Sequence, residues 1–283
     1  MLRRRTAHPR RRAAVNVKVP TVARGAARSS AQHGQLPPVT STGGVRSGPR
    51  VTVGGHAVPG VTLGWRTSTL IAVGRLVVIE GLDGAGKNTL AEALTGALHA
   101  AGASVARRAF PRYGEDIHAD LAREALRGEL GELPGSVYGM ALLFALDRHG
   151  AAADISEDLR RHDVVLLDRY VASNAAYGAA RLQQDAGGPF VEWVRALEFD
   201  RLGLPVPDSQ IWLRVPATVA GRRAQHRERA DANRARDAYE SDDDLQRRCD
   251  AVYGQLVERG WMAPWQVVDG AGDVDAEALA ATV

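Results

Sequence analysis

From Leu76 onward the chain alternates short apolar runs with segments of helical period. Leu76-Val77-Val78-Ile79 is an uninterrupted apolar run that ends at Glu80-Gly81. A run of that length bounded by glycine predicts a strand buried on both faces. Between Thr89 and Ala101, Leu90, Leu94 and Leu98 fall four apart, which puts them on one helix face, and Gly102 is placed to end the helix. Val105 to Phe110 reads as a second strand. Val137, Met140, Phe144 and Arg148 then share one face of a helix, with Ser136 as its N-cap and Gly150 just past its end. Val164-Val165-Leu166-Leu167 predicts a third buried strand. Pro189 to Leu202 reads as a helix closed by Gly203 and Pro205. Ile211 to Val215 is a fourth strand, and Pro216 suits the first turn of a further helix. Leu245, Cys249, Val252 and Leu256 mark one face of a late helix, and Gln266-Val267-Val268 is a short last strand. Strands alternating with helices predict an α/β fold, a mostly parallel five-stranded sheet flanked by helices.

Residues 1–74 do not share this pattern. They are rich in Arg, Ser, Thr, Gly and Pro, and their apolar residues come in short Ala and Val pieces. Such a stretch buries too little apolar surface to offset the entropy of ordering, so a disordered extension is expected ahead of a folded domain at 75–283. The charge divides at the same point. The extension holds 12 Lys and Arg and no acid, and the remainder holds 24 against all 33 Asp and Glu. The basic pI of the whole chain thus belongs to the extension. The acidic remainder lacks the basic face that a large nucleic-acid footprint needs, and no nucleic-acid partner is expected. Three readings of the extension stand: an organelle transit peptide, a basic arm, or an over-extended start with translation beginning near Val73. The last suits the bias of 34 Arg against only Lys18 and Lys87, which fits a GC-rich genome. No apolar run is long enough for a membrane span. The single cysteine, Cys249, excludes an internal disulfide and points to a reducing, cytoplasmic setting.

The strongest chemical signal lies between the first strand and the first helix, in Gly81-Leu82-Asp83-Gly84-Ala85-Gly86-Lys87-Asn88-Thr89. The spacing G-x-x-x-x-G-K is that of a phosphate-binding loop. Its glycines let backbone N–H groups turn toward phosphate oxygens, the helix N-terminus adds partial positive charge, and Lys87 reaches the terminal phosphates. The bland alternative is a glycine-rich turn that binds nothing. One position departs from the pattern. Asn88 stands where a Ser or Thr would hold Mg²⁺, and Thr89 lies one step on. The metal is therefore expected through phosphate, water and a carboxylate such as Asp83.

A phosphate loop alone leaves kinase, GTPase, motor and assembly ATPase open. The third strand runs into Asp168-Arg169-Tyr170 at the carboxyl end of the sheet, where ligands of open α/β sheets bind. Arg offers a charged planar fork for phosphate, and Asp can hold Mg²⁺ through water. A salt bridge capping the strand end is the bland reading. Phe144 and Arg148, four apart, offer a flat face beside a cation, suited to a base ring and its polar edge; a core Phe beneath a solvated Arg has the same spacing. Arg222, Arg223, Arg227, Arg229, Arg234 and Arg236 form an Arg-dense stretch, either a solvated face or a mobile lid that closes on an anionic substrate.

Taken together, these residues resemble the bacterial thymidylate kinases, a family of P-loop nucleoside monophosphate kinases. The matching pieces are IEGLDGAGKNT (Ile79–Thr89), FPRYG (Phe110–Gly114), LFALDR (Leu143–Arg148), LDRYVASNAAY (Leu167–Tyr177), RLGLPVPD (Arg201–Asp208) and RARDAYE (Arg234–Glu240). They occur in family order over roughly 200 residues, and the extension lies outside them. The resemblance implies a P-loop kinase with an Arg-rich lid that moves phosphoryl from ATP to dTMP with Mg²⁺, as a homodimer.

It also implies roles for individual residues. Gly81 through Thr89, Lys87 above all, bind ATP phosphates. Asp83 faces the sugar 3′-hydroxyl or the metal. Phe144 stacks on thymine, Arg148 and Asn174 bond the base edge, and Tyr177 crowds the 2′ position. Arg112, Tyr113 and Arg169 address the acceptor phosphate, Asp168 lies near Mg²⁺, and Phe110, Ser173 and Tyr239 complete the dTMP site. Tyr239 and Glu240 close the site behind the lid, with Glu240 a further metal candidate. Ala85 stands where some members carry an Arg in the loop, so the catalytic cations are expected from the lid: Arg223, Arg227 and Arg234. Another nucleoside monophosphate kinase remains the nearer alternative, and a non-catalytic nucleotide sensor the more distant one. A GTPase would need an N-K-x-D motif, and neither lysine lies in one.

Overall fold

The computed structural model describes residues 73–230, Tyr239 and residues 241–283. The acid-free extension up to residue 72, Arg234, Arg236 and Glu240 lie outside the described residues, as does the side chain of Arg227. Five strands form one sheet: β1 (Arg75–Glu80), β2 (Val105–Ala109), β3 (Val164–Asp168), β4 (Ser209–Arg214) and β5 (Trp265–Asp269). Their order is β2-β3-β1-β4-β5, and every pairing is parallel. The inner strands β1, β3 and β4 are buried along nearly their whole length, whereas the edge strands β2 and β5 are only half-buried. This explains the sequence pattern. A strand covered on both faces tolerates only apolar residues, and an edge strand can carry Arg107 and Arg108.

The flanking helices are α1 (Lys87–Ala100), α2 (Ile117–Leu126), α3 (Val137–Gly150), α4 (Ala152–Arg161), α5 (Val171–Arg181), α6 (Pro189–Arg195), α7 (Ala217–Ala230), α8 (Asp243–Glu258) and α9 (Ala276–Ala280). The faces expected of α1 and α8 are the buried ones: Leu90, Leu94 and Leu98, and Leu245, Cys249, Val252 and Leu256. Ser136 caps α3 as expected, its hydroxyl accepting from Gly139 N at 3.1 Å.

Four local expectations shift. Gly150 closes α3 rather than lying past it, and Ala151 joins α3 to α4. The segment from Pro189 is not one regular helix, since α6 widens into a π-type turn at Ala196–Arg201. Pro216 precedes α7, its carbonyl accepting from Val219 and Ala220 N. The first four residues of the Arg-dense stretch are helical, because α7 continues to Ala230. No helix among the described residues is long and apolar enough to cross a membrane.

The parallel arrangement brings the carboxyl ends of β1 and β3 side by side. Ile79 pairs with Asp168, and Arg169 N donates to Ile79 O at 2.9 Å. The loop after β1 is pinned against β4 as well. Gly81 has φ 147°, and a Cβ there would sit 2.6 Å from Leu213 O, so only glycine fits.

Candidate active site

The loop between β1 and α1 presents backbone donors. Gly86 takes a left-handed conformation, φ 101°, as the N-cap of α1, and no side chain caps the helix. The N–H groups of the first turn are therefore left for a ligand, the arrangement that binds phosphate at helix N-termini. Buried Leu82 and Ala85 hold the loop to the core. Lys87 is only 7% exposed and folds back along the loop, its Nζ donating to Leu82 O at 2.9 Å and Gly81 O at 3.2 Å. Burial and the neighbouring Arg169 guanidinium push its pKa down to about 8, against the pull of Asp168, Asp83 and Glu80. An approaching phosphate favours the charged ammonium and so draws this pKa back up.

Asn88 points elsewhere. Its amide donates to Glu92 Oε1 at 2.8 Å, and its Oδ1 accepts from Arg107 Nη2 at 3.2 Å, on the exposed side of α1. Thr89 is also exposed. Arg223, from α7, reaches across the loop: its Nη1 donates to Ala85 O at 3.2 Å and Gly270 O at 3.0 Å. That puts one cation of the expected lid against the phosphate loop.

Beside the loop, Arg169 stands in a strained left-handed conformation, φ 68°, at the end of β3. Its guanidinium pairs with Asp83 Oδ1, and its Nη1 donates to Ser173 Oγ at 3.1 Å. Tyr177 OH donates to Asp83 Oδ2 at 2.7 Å. Burial disfavours the Asp83 carboxylate, but Arg169 and Lys87 outweigh it and hold its pKa below the usual range. The helix that carries Ser173, Asn174 and Tyr177 is itself anchored to the loop strand. Buried Glu80 accepts from Tyr170 N at 2.8 Å and Ser173 N at 3.2 Å, so it caps α5 from the end of β1. Ser173 Oγ and Tyr253 OH add bonds of 2.7 and 2.9 Å to the same carboxylate.

A cavity opens from this point. Asp83, Phe110, Tyr113, Phe144, Arg148, Arg169, Ser173, Asn174, Tyr177 and Tyr239 all line it, so ten of the residues singled out for the acceptor site share one wall or another. Met140 is buried against Ala122, Ala125 and Leu126 of α2, which turns Phe144 and Arg148 of α3 toward the cavity. Arg148 is not the solvated Arg of the bland reading. It is 3% exposed and bidentate to Glu198, Nε to Oε2 at 2.6 Å and Nη2 to Oε1 at 2.8 Å. Asn174 Nδ2 donates to Glu198 Oε1 and to Ala141 O, both at 2.8 Å.

Arg112 does not line the cavity. Its Nε donates to buried Asp147 at 2.8 Å and its Nη2 to Asp116 at 2.8 Å, which ties the loop after β2 to α3. Glu80, Asp147, Arg181 and Glu198 escaped the sequence reading. Each is a charged side chain whose partner lies on a distant element, and local periodicity carries no trace of that. Arg181 lines the far end of the cavity, donating to Tyr239 OH and to Pro134 O.

Among the described residues no three His, Cys, Asp or Glu gather as a metal cage. Asp83 nevertheless lies in the phosphate loop, and Asp168 ends β3 beside Ile79 at the loop's start. One or two carboxylates shared with ligand phosphates are the set that suits Mg²⁺, which keeps most of its waters.

A family model described as thymidylate kinase matches residues 79–274. A thymidylate kinase of Mycobacterium tuberculosis is 57% identical over 208 residues, spanning 74% of this chain and 96% of that protein. A thymidylate kinase of Xanthomonas oryzae pv. oryzae is 36% identical over 203 residues, 71% of this chain and 78% of its own. That of Xanthomonas campestris pv. campestris is 34% identical over 209 residues, 74% of this chain and 82% of its own.

Proposed function

The chain belongs to the thymidylate kinase family, and from that premise we propose how its residues carry phosphoryl from ATP to dTMP, giving ADP and dTDP for nucleotide biosynthesis. The observation that carries the reading is the adjacency of an uncapped phosphate loop and a cavity holding Phe144, Arg148 and Asn174. Gly81 to Thr89 hold the ATP phosphates, with Lys87 on the terminal pair. The thymine ring lies on Phe144. Tyr177, bonded to Asp83, stands where a 2′-hydroxyl would fall, which favours deoxyribose. Arg169 takes the acceptor phosphate, with Tyr113 beside it and Arg112 holding the loop that carries Tyr113.

The acceptor's second pKa is about 6, so at neutral pH it is already an anion and needs no strong general base. A 5′-phosphate oxygen attacks the γ-phosphorus in line, the bond to the β–γ bridging oxygen breaks, and ADP leaves. The barrier is chiefly repulsion between two polyanions, and Lys87, Arg169 and Arg223 address it by fixed positive charge and alignment. Arg227 and Arg234 are the further lid cations of the reading. Mg²⁺ would be held by Asp83 and Asp168, with Glu240 a third candidate, and would supply charge neutralisation between the β- and γ-phosphates. We read the enzyme as cytoplasmic and homodimeric on family precedent. Tyr138 and Leu142, one turn apart and exposed on α3, leave an apolar face that a second copy would cover.

Two results are expected. Phe144→Ala weakens dTMP binding by about 1–3 kcal/mol, the scale of base–aromatic stacking, and spares ATP; calorimetry with each nucleotide checks it, and an unchanged dTMP affinity removes the stacking role. The Lys87 pKa of about 8 sets a pH limit. The ammonium is the working form, so kcat/KM for ATP is highest below that value and falls as pH rises through it. Lys87→Arg carries the plateau to higher pH, since a guanidinium stays charged. A wild-type profile flat across that range contradicts the role.

A further inference from the structure

Glu198 is fully buried on the π-type turn after α6 and does not line the cavity, yet it grips two polar side chains that do, Arg148 and Asn174. Its Oε2 takes Arg148 Nε at 2.6 Å, and its Oε1 takes Arg148 Nη2 and Asn174 Nδ2, each at 2.8 Å. Arg148 has one nitrogen left: Nη1 makes no hydrogen bond among the described residues, and the side chain lines the cavity. The orientation of the Asn174 amide is likewise forced. Its NH₂ lies between two acceptors, Glu198 Oε1 and Ala141 O, so the flipped amide would set oxygen against oxygen. Its Oδ1 accepts from no group among the described residues, and Asn174 lines the cavity beside Arg148. One hidden carboxylate therefore leaves the cavity a donor, Arg148 Nη1, and an acceptor, Asn174 Oδ1.

That pair is complementary to a pyrimidine with a 4-keto oxygen and an N3–H. It is mismatched to a 4-amino pyrimidine, whose exocyclic NH₂ would meet the Arg donor and whose bare N3 would meet the amide oxygen. We propose that Glu198 is a specificity-determining positioning residue, which selects 4-keto over 4-amino pyrimidine monophosphates by fixing the polarity of Arg148 and Asn174 without touching the substrate. The proposal rests on the reading of the cavity as the acceptor-base site.

A glutamine at 198 cannot serve all three donors. It must turn its own NH₂ toward Arg148 Nε, or toward Arg148 Nη2 and Asn174, and either choice frees one reader to turn. The test measures kcat/KM of full-length wild type and Glu198→Gln with dTMP, dUMP and dCMP at fixed ATP. Wild type should use dTMP and dUMP well ahead of dCMP; a wild type without that preference removes the underlying site reading, whatever the variant does. In Glu198→Gln the dCMP-to-dTMP ratio should rise by about tenfold or more, the worth of one lost hydrogen bond. The dUMP-to-dTMP ratio should stay within about twofold, because both bases present the same edge and differ only by a methyl group. General loosening of the fold would depress all three substrates together. A dCMP-to-dTMP ratio that does not move therefore overturns the proposal. Glu198→Asp, whose carboxylate stops one methylene short of the three donors, is read by the same ratios if the glutamine variant fails to fold. It should raise the dCMP share with dUMP unaffected, and an unaltered dCMP share in it overturns the proposal equally.

Discussion

Replacing Lys87 with alanine is expected to lower kcat by about a thousandfold while leaving the fold intact. The size follows from where the lysine lies. It is the buried cation of the loop, and among the described residues it is held by two loop carbonyls, Gly81 O and Leu82 O, and by no carboxylate bond. Those contacts are cheap to exchange for phosphate oxygens. In a water-poor site an ammonium at the terminal phosphates is worth several kcal/mol more as charge moves to the leaving ADP than it is in the ground state. Its removal opens only a small gap at the end of α1, since Leu90 and Leu94 carry the packing of that helix. Circular dichroism should therefore match wild type, and a steady-state assay should show the loss in kcat. Near-wild-type turnover would refute the assignment of this loop to the transferring phosphates.

The second large effect is at Arg169. Arg169→Ala should cost about a thousandfold in kcat/KM for dTMP, with the KM for ATP changed far less. The residue is held in a left-handed conformation at φ 68°, which non-glycine residues seldom adopt, and its guanidinium bridges Asp83 and Ser173 between loop and cavity. Strain kept at such a point directs a side chain that the site requires. Alanine would also leave Asp83 without its main counter-charge, so part of the loss reflects a displaced Asp83. Arg169→Lys separates the two contributions. It restores a charge beside Asp83 but not the planar fork, so it should recover stability and little of the dTMP kcat/KM. Full recovery by lysine would mean that Arg169 acts only as a counter-ion.

The parts of this fold that were legible in the sequence are those where one local pattern dictates one environment. The inner strands β1, β3 and β4 are buried on both faces and so read as apolar runs. The stripes of α1 and α8 are leucine-based and read at once. Helices α2, α4 and α5 did not, each for its own reason. The buried face of α2 is Ala119, Ala122 and Ala125 with Leu126 at its end, and alanine is common enough on exposed faces to mark nothing. Helix α4 buries only Ile155. Helix α5 is buried almost all round, mostly in small residues but with Asn174 and Tyr177 among them, so it has no polar face to define a period.

The candidate site divides in the same way. Glycine spacing identifies the phosphate loop because backbone conformation demands glycine there. Spacing alone could not decide whether Arg148 was solvated. What decides it is Glu198, fifty positions along the chain, and the packing of α6 against α5 and of the following π-type turn against α3 brings the two together. The capping of α5 by Glu80, ninety positions before Tyr170, is hidden for the same reason.

Substrate choice is read from ADP release by the purified full-length chain with ATP and Mg²⁺, with dTMP, dUMP, dCMP and the ribonucleotide of thymine offered in parallel. Rapid turnover is expected with dTMP, less with dUMP, and little with dCMP or the ribonucleotide, the last rejected at Tyr177. Turnover confined to dCMP would contradict the base-edge assignment of Arg148 and Asn174, and a chain that binds ATP but phosphorylates none of the four would contradict the kinase assignment itself.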